Sequence, residues 1–218
     1  MPPAGEHFVF DAFGTLFDVH AAARASAPLI GESWPRVSEV WRAKQLEYSW
    51  IHAGLGTHVP FRDLTRQGLH YALSICGVDA GVESAILESY GRLAVFPEVP
   101  DVLRGLKAQG AHLAILSNGD PDVLDGLVAH ADLGGVFDRV LSVQAAGTFK
   151  PSPRVYALVT EAFPVAPGAI TFLSSNRWDI AGASAFGFTP IWVNRADAPD
   201  EYPDLAPQRV VRDLRALL

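Results

Sequence analysis

The sequence contains one cysteine, Cys76, and it lacks both a long apolar segment and a run rich in lysine and arginine. A single cysteine excludes an internal disulfide bond and a cysteine-based metal cluster. The 17 basic residues are outnumbered by 24 acidic ones, and a formal net charge of −7 is not typical of proteins that bind nucleic acid or anionic lipid. Residues 1–6 lack the basic and apolar segments of a secretory signal. We therefore expect a soluble cytoplasmic protein with no nucleic-acid partner and no membrane partner.

What the sequence does contain is enough apolar material for a large core. The chain has 218 residues, of which 49% are hydrophobic and 19% are charged. That length permits one larger domain or a domain with an insertion. The composition is typical of an ordered globular protein and excludes a disordered tail.

Short apolar runs alternate with helical patterns on either side of a long central segment. The runs that predict buried strands are 7–10, 112–116, 139–143, 169–173 and 190–193. Strands separated by helices form a parallel sheet covered on both faces, with functional groups at the carboxyl ends of the strands. One such helix is predicted to begin with Asp120 as its cap and Pro121 as its first residue. The predicted fold class is α/β, with a Rossmann-like, doubly wound parallel sheet as its core.

The central segment, residues 17–96, contains no strand pattern and predicts an inserted helical domain. Helices are predicted at 34–52, 61–76 and 80–93. Residues 96–100 are interpreted as the linker that returns to the core, where the next helix begins at Asp101. The predicted core domain therefore comprises residues 1–16 and 97–218.

Asp11 follows the first predicted strand, which places a carboxylate at the carboxyl end of the sheet. Such a carboxylate can act as a nucleophile, or it can merely cap the turn that Gly14 and Thr15 predict. Two residues after Asp11 stands Phe13, whose side chain cannot transfer a proton. A nucleophile without a neighbouring acid suits a leaving group that needs no proton, such as a halide.

Four short motifs follow one another along the chain. They are Phe10-Asp11-Ala12-Phe13-Gly14-Thr15-Leu16-Phe17-Asp18, Leu116-Ser117-Asn118-Gly119, Phe149-Lys150-Pro151 with Arg154-Val155-Tyr156, and Ser174-Ser175-Asn176-Arg177-Trp178-Asp179. With the helical segment 41–48, they resemble the L-2-haloacid dehalogenase branch of the haloacid dehalogenase-like superfamily. The resemblance covers nearly the whole chain, and it implies that residues 17–96 form a helical cap domain over the core.

Two positions distinguish the chain from the phosphatases of that superfamily. The phosphatases carry a second aspartate, their general acid and base, where this chain has Phe13. They carry another aspartate, which holds Mg²⁺ together with the nucleophile, where this chain has Ser175. Because Mg²⁺ relies on carboxylate ligands in protein sites, these replacements argue for a reaction that uses no metal. The resemblance likewise implies no cofactor.

The resemblance further implies hydrolytic removal of halide from short L-2-haloalkanoic acids, with inversion, through an ester on the enzyme. Asp11 would be the nucleophile, Lys150 would keep it ionised, and Asp179 would deprotonate the water that hydrolyses the ester. The residues implied to assist that second step are Asn176, Ser174, Thr15 and Tyr156.

A second group of residues is implied to bind the substrate. Arg42 and Asn118 would receive the departing halide, since both can donate hydrogen bonds to an anion. The apolar neighbours implied for the halide and the alkyl chain are Phe61, Trp178 and, on the helical face of Arg42, Leu46. The groups implied to hold the substrate carboxylate are Ser117 and the backbone N–H groups of Ala12 and Phe13.

Ordinary structural explanations exist for the same residues. A lone lysine before proline is usually a solvated loop cation, and an arginine often packs its stem while its head reaches water. Aromatic residues usually belong to the core, and a serine or aspartate near a helix start often stabilises that end of the helix. The residues concerned are Lys150, Arg42, Phe61, Trp178, Tyr156, Ser117 and Asp179.

Two other functions stay open beside the dehalogenase. One is a phosphatase that acts on small phosphate esters through Asp11, and the other is a non-catalytic binding protein that keeps the fold. The partners implied by the leading hypothesis are a small-molecule 2-haloacid, the halide product and a second copy of the chain in a homodimer. Substrate access is predicted to require movement of the helical domain.

Overall fold

The computed structural model describes residues 5–218, and its core is a six-stranded parallel sheet. The strands are β1 (His7–Phe10), β2 (His112–Ser117), β3 (Arg139–Ser142), β4 (Ile170–Ser174), β5 (Thr189–Val193) and β6 (Arg209–Val211). Their order is β3-β2-β1-β4-β5-β6, and all neighbours are parallel. The predicted α/β fold class is confirmed. Residues 1–4, part of the predicted core range 1–16, lie outside the described residues.

The strand order places a crevice beside β1. From β1 the chain builds outward through β2 and β3, and it then returns to add β4, β5 and β6 on the other side. In open parallel sheets, ligands bind outside the carboxyl ends of the strands at the topological switch point, where the strand order changes direction. Here that point lies between β1 and β4. Asp11 and the residues after Ser174 therefore flank the position where a site is expected.

Nine α-helices lie within residues 5–218. Six fall between β1 and β2. Five of them lie in the insertion, namely α1 (Ala21–Ala25), α2 (Ala27–Ile30), α3 (Trp34–Leu55), α4 (Phe61–Ile75) and α5 (Glu83–Tyr90), and the sixth, α6 (Val99–Ala108), leads into β2. Three connect the later strands, namely α7 (Pro121–His130), α8 (Pro153–Ala162) and α9 (Arg177–Phe186). None of the helices in the described part of the chain is both long and apolar enough to cross a membrane.

The inserted helices are held together mainly by α3 and α4. The Trp41 indole donates to the Thr65 carbonyl at 2.8 Å, and the Gln45 amide donates to the Thr65 hydroxyl at 3.1 Å. Gly68 faces α3 so closely that an added Cβ would lie 3.4 Å from Trp41 and Gln45. A larger residue there would separate the two helices, because helix axes approach only as far as the contacting side chains allow.

The two segments that join the insertion to the core run side by side. The Asp18 amide donates to the Ala94 carbonyl at 2.9 Å, and the Phe96 amide donates to the Leu16 carbonyl at 3.0 Å. These bonds hold the insertion next to the carboxyl ends of the strands. The division into domains at 16/17 and 96/97 stays a prediction.

Several predicted boundaries were wrong by a few residues. Helix α3 continues three residues beyond the predicted end at His52, to Leu55, and the left-handed Gly56 (φ 68°) ends it. Helix α6 begins at Val99, inside the predicted return linker. Strand β6 was not predicted, because two of its three residues are exposed and it pairs only with β5. Ends of elements are the part of a sequence prediction that local patterns determine least.

Candidate active site

Asp11 lies at the carboxyl end of β1, only 5% exposed, and four side chains donate to its carboxylate. Thr15 Oγ1 at 2.9 Å, Asn176 Nδ2 at 2.8 Å and Ser174 Oγ at 3.3 Å all donate to Oδ2. Lys150 Nζ lies 3.1 Å from Oδ1. The two carboxylate oxygens are therefore different: Oδ2 has three neutral donors, whereas Oδ1 faces a single ammonium group.

Sheet register explains why residues so distant in sequence meet here. Phe10 of β1 is opposite Leu173 of β4, so Asp11 and Ser174 emerge at the same level. The turn after Asp11 requires Gly14, whose positive φ of 89° is strained for other residues. Thr15 then turns back toward the carboxylate and also accepts a hydrogen bond from the Ser175 amide at 2.8 Å.

Lys150 connects Asp11 to a second buried carboxylate. Its Nζ lies 2.8 Å from Asp179 Oδ2, and neither Lys150 nor Asp179 has any exposed surface. The hydroxyl of Tyr156 donates to Asp179 Oδ1 at 2.8 Å and to the Asp179 carbonyl at 3.2 Å. Lys150 is therefore not a solvated loop cation, and Tyr156 is a buried aromatic that contacts the same network.

The charges in this network shift one another's titration. Burial raises the pKa of Asp179 to about 6, even though the Lys150 ammonium favours the ionised carboxylate. Burial disfavours the charge of Lys150, yet the carboxylates of Asp11 and Asp179 together raise the pKa of Lys150. Burial and the neighbouring Asp179 raise the pKa of Tyr156 well above its ordinary value. The arrangement thus combines a protonated lysine, a protonated tyrosine and a carboxyl group that titrates near neutral pH.

Three groups predicted to hold a carboxylate lie beside Asp11. The backbone N–H groups of Ala12 and Phe13 donate to no acceptor among the described residues. Ser117 ends β2 and is fully buried, and its Oγ accepts a hydrogen bond from the Gly119 amide at 3.1 Å. Ser117 therefore stabilises the turn after β2 and does not cap helix α7. Its hydroxyl hydrogen is left to donate.

Arg42 reaches from α3 across to the core loops. Its Nη2 lies 3.3 Å from Asn176 Oδ1 and 3.4 Å from the Phe13 carbonyl. The side-chain oxygen of Asn118, Oδ1, accepts a hydrogen bond from the Lys150 amide at 3.1 Å, which orients the Asn118 side chain at the edge of the same network. Arg42 and Asn118 are therefore both brought to the group around Asp11.

Phe13 and Phe61 form an aromatic wall, with their ring centroids 6.0 Å apart and both residues 3% exposed. They line a cavity of about 260 Å³ together with Tyr90 and Gly119. Gly119 is required there, because an added Cβ would lie 2.7 Å from the Phe13 ring. Phe61 is therefore a buried core residue that also lines a cavity, and its role in substrate binding stays a prediction.

Trp178 and Leu46 lie further from Asp11. Trp178 is half-buried in the first turn of α9, and its ring packs edge-on against Trp50 of α3 at 5.5 Å. Leu46 is half-buried on α3, one turn after Arg42. Trp178 and Arg42 line one cavity of about 580 Å³ between the insertion and the core. Trp178 therefore borders the site, whereas Leu46 lines neither this cavity nor the one beside Phe13.

The sequence analysis assigned one residue near the site to the wrong helix and did not identify two others. Asp120 stands at the start of α7, but its carboxylate caps α4, accepting from the Phe61 amide at 3.2 Å and the Arg62 amide at 2.8 Å. Gly182 of α9 lies against the Tyr156 hydroxyl, where an added Cβ would be 2.3 Å from the oxygen. A glycine inside a helical pattern was the available signal for that close approach. Arg195 donates to the Thr15 carbonyl at 2.9 Å, and no motif indicated it.

Comparisons with known proteins identify the family to which the chain belongs. Residues 6–187 match the family of haloacid dehalogenase-like hydrolases. The chain is 41% identical to the (S)-2-haloacid dehalogenase of Pseudomonas sp. (strain YL), over 96% of this chain and 91% of that protein. A crystal structure of an L-2-haloacid dehalogenase superposes with a TM-score of 0.94 at 40% identity, over 98% of this chain and 97% of that one. The L-2-haloacid dehalogenase of Xanthobacter autotrophicus, solved with chloropropionic acid covalently bound, superposes with a TM-score of 0.87 at 37% identity, over 97% and 96% of the two chains. The chain therefore belongs to the haloacid dehalogenase-like hydrolase family and, within it, to the (S)-2-haloacid dehalogenase class of enzymes.

Proposed function

We propose that the protein hydrolyses short L-2-haloalkanoic acids to 2-hydroxy acids with inversion, without a metal ion, through an ester on Asp11. The observation that carries this proposal is the asymmetric environment of the buried Asp11 carboxylate. Three neutral donors bind Oδ2, and only Lys150 Nζ faces Oδ1. Oδ1 is therefore the oxygen with lone pairs free for attack.

In the first step, Oδ1 attacks C2 of the substrate from the side opposite the halogen. The new bond is C2–Oδ1, the carbon–halogen bond breaks, and the halide leaves with the bonding electron pair. Attack from the rear inverts C2. The free N–H groups of Ala12 and Phe13, with the Ser117 hydroxyl, hold the substrate carboxylate, and Arg42 and Asn118 receive the halide.

In the second step, water attacks Cγ of the Asp11 ester while the Asp179 carboxylate takes its proton. With a pKa of about 6, Asp179 is ionised at neutral pH and still basic enough to act. The negative charge that develops on Oδ2 meets the donors of Thr15, Ser174 and Asn176, as in an oxyanion hole. The Cγ–Oδ1 bond then breaks, and the departing 2-hydroxy acid takes the proton from Asp179. Asp11, which now carries the hydroxyl oxygen and the second proton of the water, loses that proton to solvent and becomes a carboxylate again.

Metal independence is supported by the donors around the nucleophile. The two oxygens best placed to bind a hard cation are Asp11 Oδ2 and the Phe13 carbonyl, and both accept from Asn176 Nδ2, at 2.8 and 3.1 Å. Arg42 Nη2 also approaches the Phe13 carbonyl. Ser175 offers a hydroxyl where a phosphatase would need a carboxylate. Nitrogen donors and an ammonium group thus occupy the surroundings in which Mg²⁺ would act.

The phosphatase alternative is disfavoured by the packing of Phe13. Its ring is buried against Phe61 and Tyr90, so it lies in an apolar wall where a proton donor would be required. The binding-protein alternative is disfavoured because a non-catalytic fold has no need of a buried Asp11–Lys150–Asp179 chain, whose desolvation is costly.

We further propose that residues 1–16 and 97–218 form the core domain and residues 17–96 a cap domain that moves to admit substrate. The Asp11 carboxylate is buried beneath loops and inserted helices, which supports a requirement for movement. The homodimer and the cytoplasmic location stay predictions.

The first experiment measures halide release from L- and D-2-chloropropionate in the presence of EDTA, with a phosphate ester as the comparison substrate. We expect chloride from the L-enantiomer only, and none from Asp11→Asn. The matched variant Asp179→Asn should release one equivalent of chloride per enzyme and then stop, because the ester forms but is not hydrolysed. Metal-dependent phosphate release without chloride release would overturn the proposal in favour of the phosphatase.

A further inference from the structure

Arg195 follows strand β5 and contacts both segments that join the insertion to the core. These are the outgoing segment, residues 15–18, and the returning segment, residues 94–98. Arg195 Nη2 donates to the Thr15 carbonyl at 2.9 Å, and Arg195 Nη1 lies 2.6 Å from Glu98 Oε1. One side chain of the core therefore connects the point where the chain leaves the core to the point where it returns.

This set of contacts suits an arginine. The Arg195 side chain is 17% exposed and that of Glu98 is 4% exposed, so the ion pair is largely shielded from water. Arg195 Cζ also lies 3.8 Å from the centroid of the Phe96 ring, where a cation is attracted to the ring face. A planar guanidinium group can bind a carboxylate and a carbonyl while it stacks on an aromatic ring. The ammonium group of a lysine would keep the charge but not this combination of contacts.

Thr15 is the residue through which Arg195 can influence the reaction. The Thr15 hydroxyl donates to Asp11 Oδ2 at 2.9 Å and accepts from the Ser175 amide at 2.8 Å. The Thr15 amide lies 3.3 Å from the Ala12 carbonyl, which is long for a hydrogen bond. The 2.9 Å bond from Arg195 to the Thr15 carbonyl is shorter. Arg195 therefore holds the Thr15 backbone more closely than the turn after Asp11 does.

Beyond Thr15 the chain belongs to the paired segments that carry the insertion. Phe17 and Val95 form an antiparallel bridge, and hydrogen bonds join the two segments on either side of it. A movement of the insertion would pull on the outgoing segment and so on Thr15. Arg195 opposes that pull from the core, because its own amide donates to the Val193 carbonyl at the end of β5, at 3.0 Å.

We infer that Arg195 is a positioning residue, which fixes the Thr15 backbone so that the Thr15 hydroxyl stays aligned on Asp11 Oδ2 when the insertion moves. The inference rests on the proposed function, in which negative charge develops on Oδ2 as water attacks the ester. A donor stabilises that charge only from the correct position, so a small displacement slows hydrolysis. Formation of the ester removes charge from the carboxylate and has less need of the donor.

The test variant must not leave a buried charge without its partner. Removing Arg195 alone would leave the Glu98 carboxylate unpaired and could prevent folding. The neutral-pair variant therefore combines Arg195→Met with Glu98→Gln. Methionine can pack on the Phe96 ring but cannot donate a hydrogen bond to the Thr15 carbonyl. Arg212→Met is the control, because Arg212 pairs with Asp197 at the exposed surface of the same part of the chain.

Rapid-quench kinetics with L-2-chloropropionate separate the two chemical steps. In the neutral-pair variant we expect ester hydrolysis to fall about tenfold and ester formation to change less than about twofold. Chloride should therefore appear in a burst of about one equivalent per enzyme, followed by slow release. Arg212→Met should leave both steps unchanged. Equal slowing of both steps in the neutral-pair variant would overturn the inference, since general disturbance of the site would have that effect.

Thr15→Val tests whether Arg195 acts through the Thr15 hydroxyl. Valine has a similar shape but no donor, so hydrolysis should fall in this variant by itself. Adding the neutral-pair substitutions to Thr15→Val should slow hydrolysis by less than about a further twofold, because the donor that they displace is already absent. A further tenfold loss would show that the effects are independent, and it would overturn the inference.

Hydrogen exchange tests the contact without any turnover. Amides of residues 12–18 should exchange at least about fivefold faster in the neutral-pair variant than in the wild type, and at the wild-type rate in Arg212→Met. Unchanged exchange in the neutral-pair variant would overturn the anchoring of Thr15 by Arg195. If the wild type releases no halide, the proposed function fails, and exchange alone decides whether Arg195 anchors Thr15.

Discussion

Lys150 Nζ lies 2.8 Å from Asp179 Oδ2 in an ion pair from which solvent is fully excluded. The same ammonium group lies 3.1 Å from Asp11, so one cation serves two carboxylates. Burial raises the pKa of Asp179 to about 6, and the nearby Asp11 carboxylate also raises it, while the Lys150 ammonium lowers it. In the proposed mechanism Asp11 is the carboxylate that attacks, and Asp179, whose pKa is about 6, is the base.

The pH dependence of ester hydrolysis should report the ionisation of Asp179. Because the folded pKa of Asp179 is raised to about 6, the group is ionised above that pH and protonated below it. Ester hydrolysis should therefore be independent of pH above about 7, and should fall about tenfold per pH unit well below 6. Rapid-quench measurement of ester breakdown checks this expectation. A rate that stays constant down to pH 4 would exclude Asp179 as the base.

Tyr156→Phe should move that profile. The hydrogen bond of 2.8 Å from the Tyr156 hydroxyl to Asp179 Oδ1 favours the ionised carboxylate, so removing the hydroxyl should raise the pKa of Asp179. We expect the acid limb to shift to higher pH and ester hydrolysis at pH 7 to fall about tenfold. The step that forms the ester should change little. Tyr90→Phe, a buried tyrosine that does not contact Asp179, is the matched control and should leave the limb in place.

Much of the fold could be predicted because strand signals are local. The apolar runs of β1, β2 and β4 end in polar residues, and parallel strands bring those ends to one edge of the sheet. The meeting of Asp11 with Ser174 follows from that rule alone. The failure at β6 has the opposite cause, since its three residues are held by pairing with β5 and carry little apolar signal of their own.

The features of the site that were not predicted depend on contacts between residues that are far apart in the sequence. Asp120 has the residue type and position of a cap for α7. Its carboxylate oxygens instead accept hydrogen bonds from two backbone amides of α4, which are 58 and 59 residues away in sequence. Arg195 contacts Thr15 across 180 residues. No local pattern encodes such partners, because the choice between a near donor and a far one is decided by packing of the insertion on the core.

Asp120→Ala should weaken the attachment of α4 to the core. The carboxylate satisfies two amides at the helix start, so its loss should lower the free energy of unfolding by about 1–2 kcal/mol. Phe61 is at that helix start, and the KM for substrate should rise as its ring is released. Chemical denaturation and steady-state kinetics check both effects. Asp122→Ala is the control, since Asp122 pairs with the exposed side chain of Arg62 and its loss should lower the free energy of unfolding by less than about 0.5 kcal/mol.

Gly182→Ala tests whether the close approach of α9 to Tyr156 is needed. In most exposed helical positions this change is stabilising, because glycine has the greater freedom to lose on folding. At Gly182 the new methyl group would lie 2.3 Å from the Tyr156 oxygen and 2.8 Å from Pro151, so the tyrosine or the helix must shift. We expect the free energy of unfolding to fall by about 2 kcal/mol and ester hydrolysis to slow as in Tyr156→Phe.

Gly126→Ala in helix α7 is the matched control for that substitution. It is exposed, and an added Cβ there meets nothing within 4 Å. We expect it to raise the free energy of unfolding by about 0.5–1 kcal/mol and to leave turnover unchanged. If Gly182→Ala were equally stabilising and fully active, the Tyr156 hydroxyl would have to tolerate displacement, and its hydrogen bond could not be needed to keep the Asp179 carboxylate ionised at neutral pH.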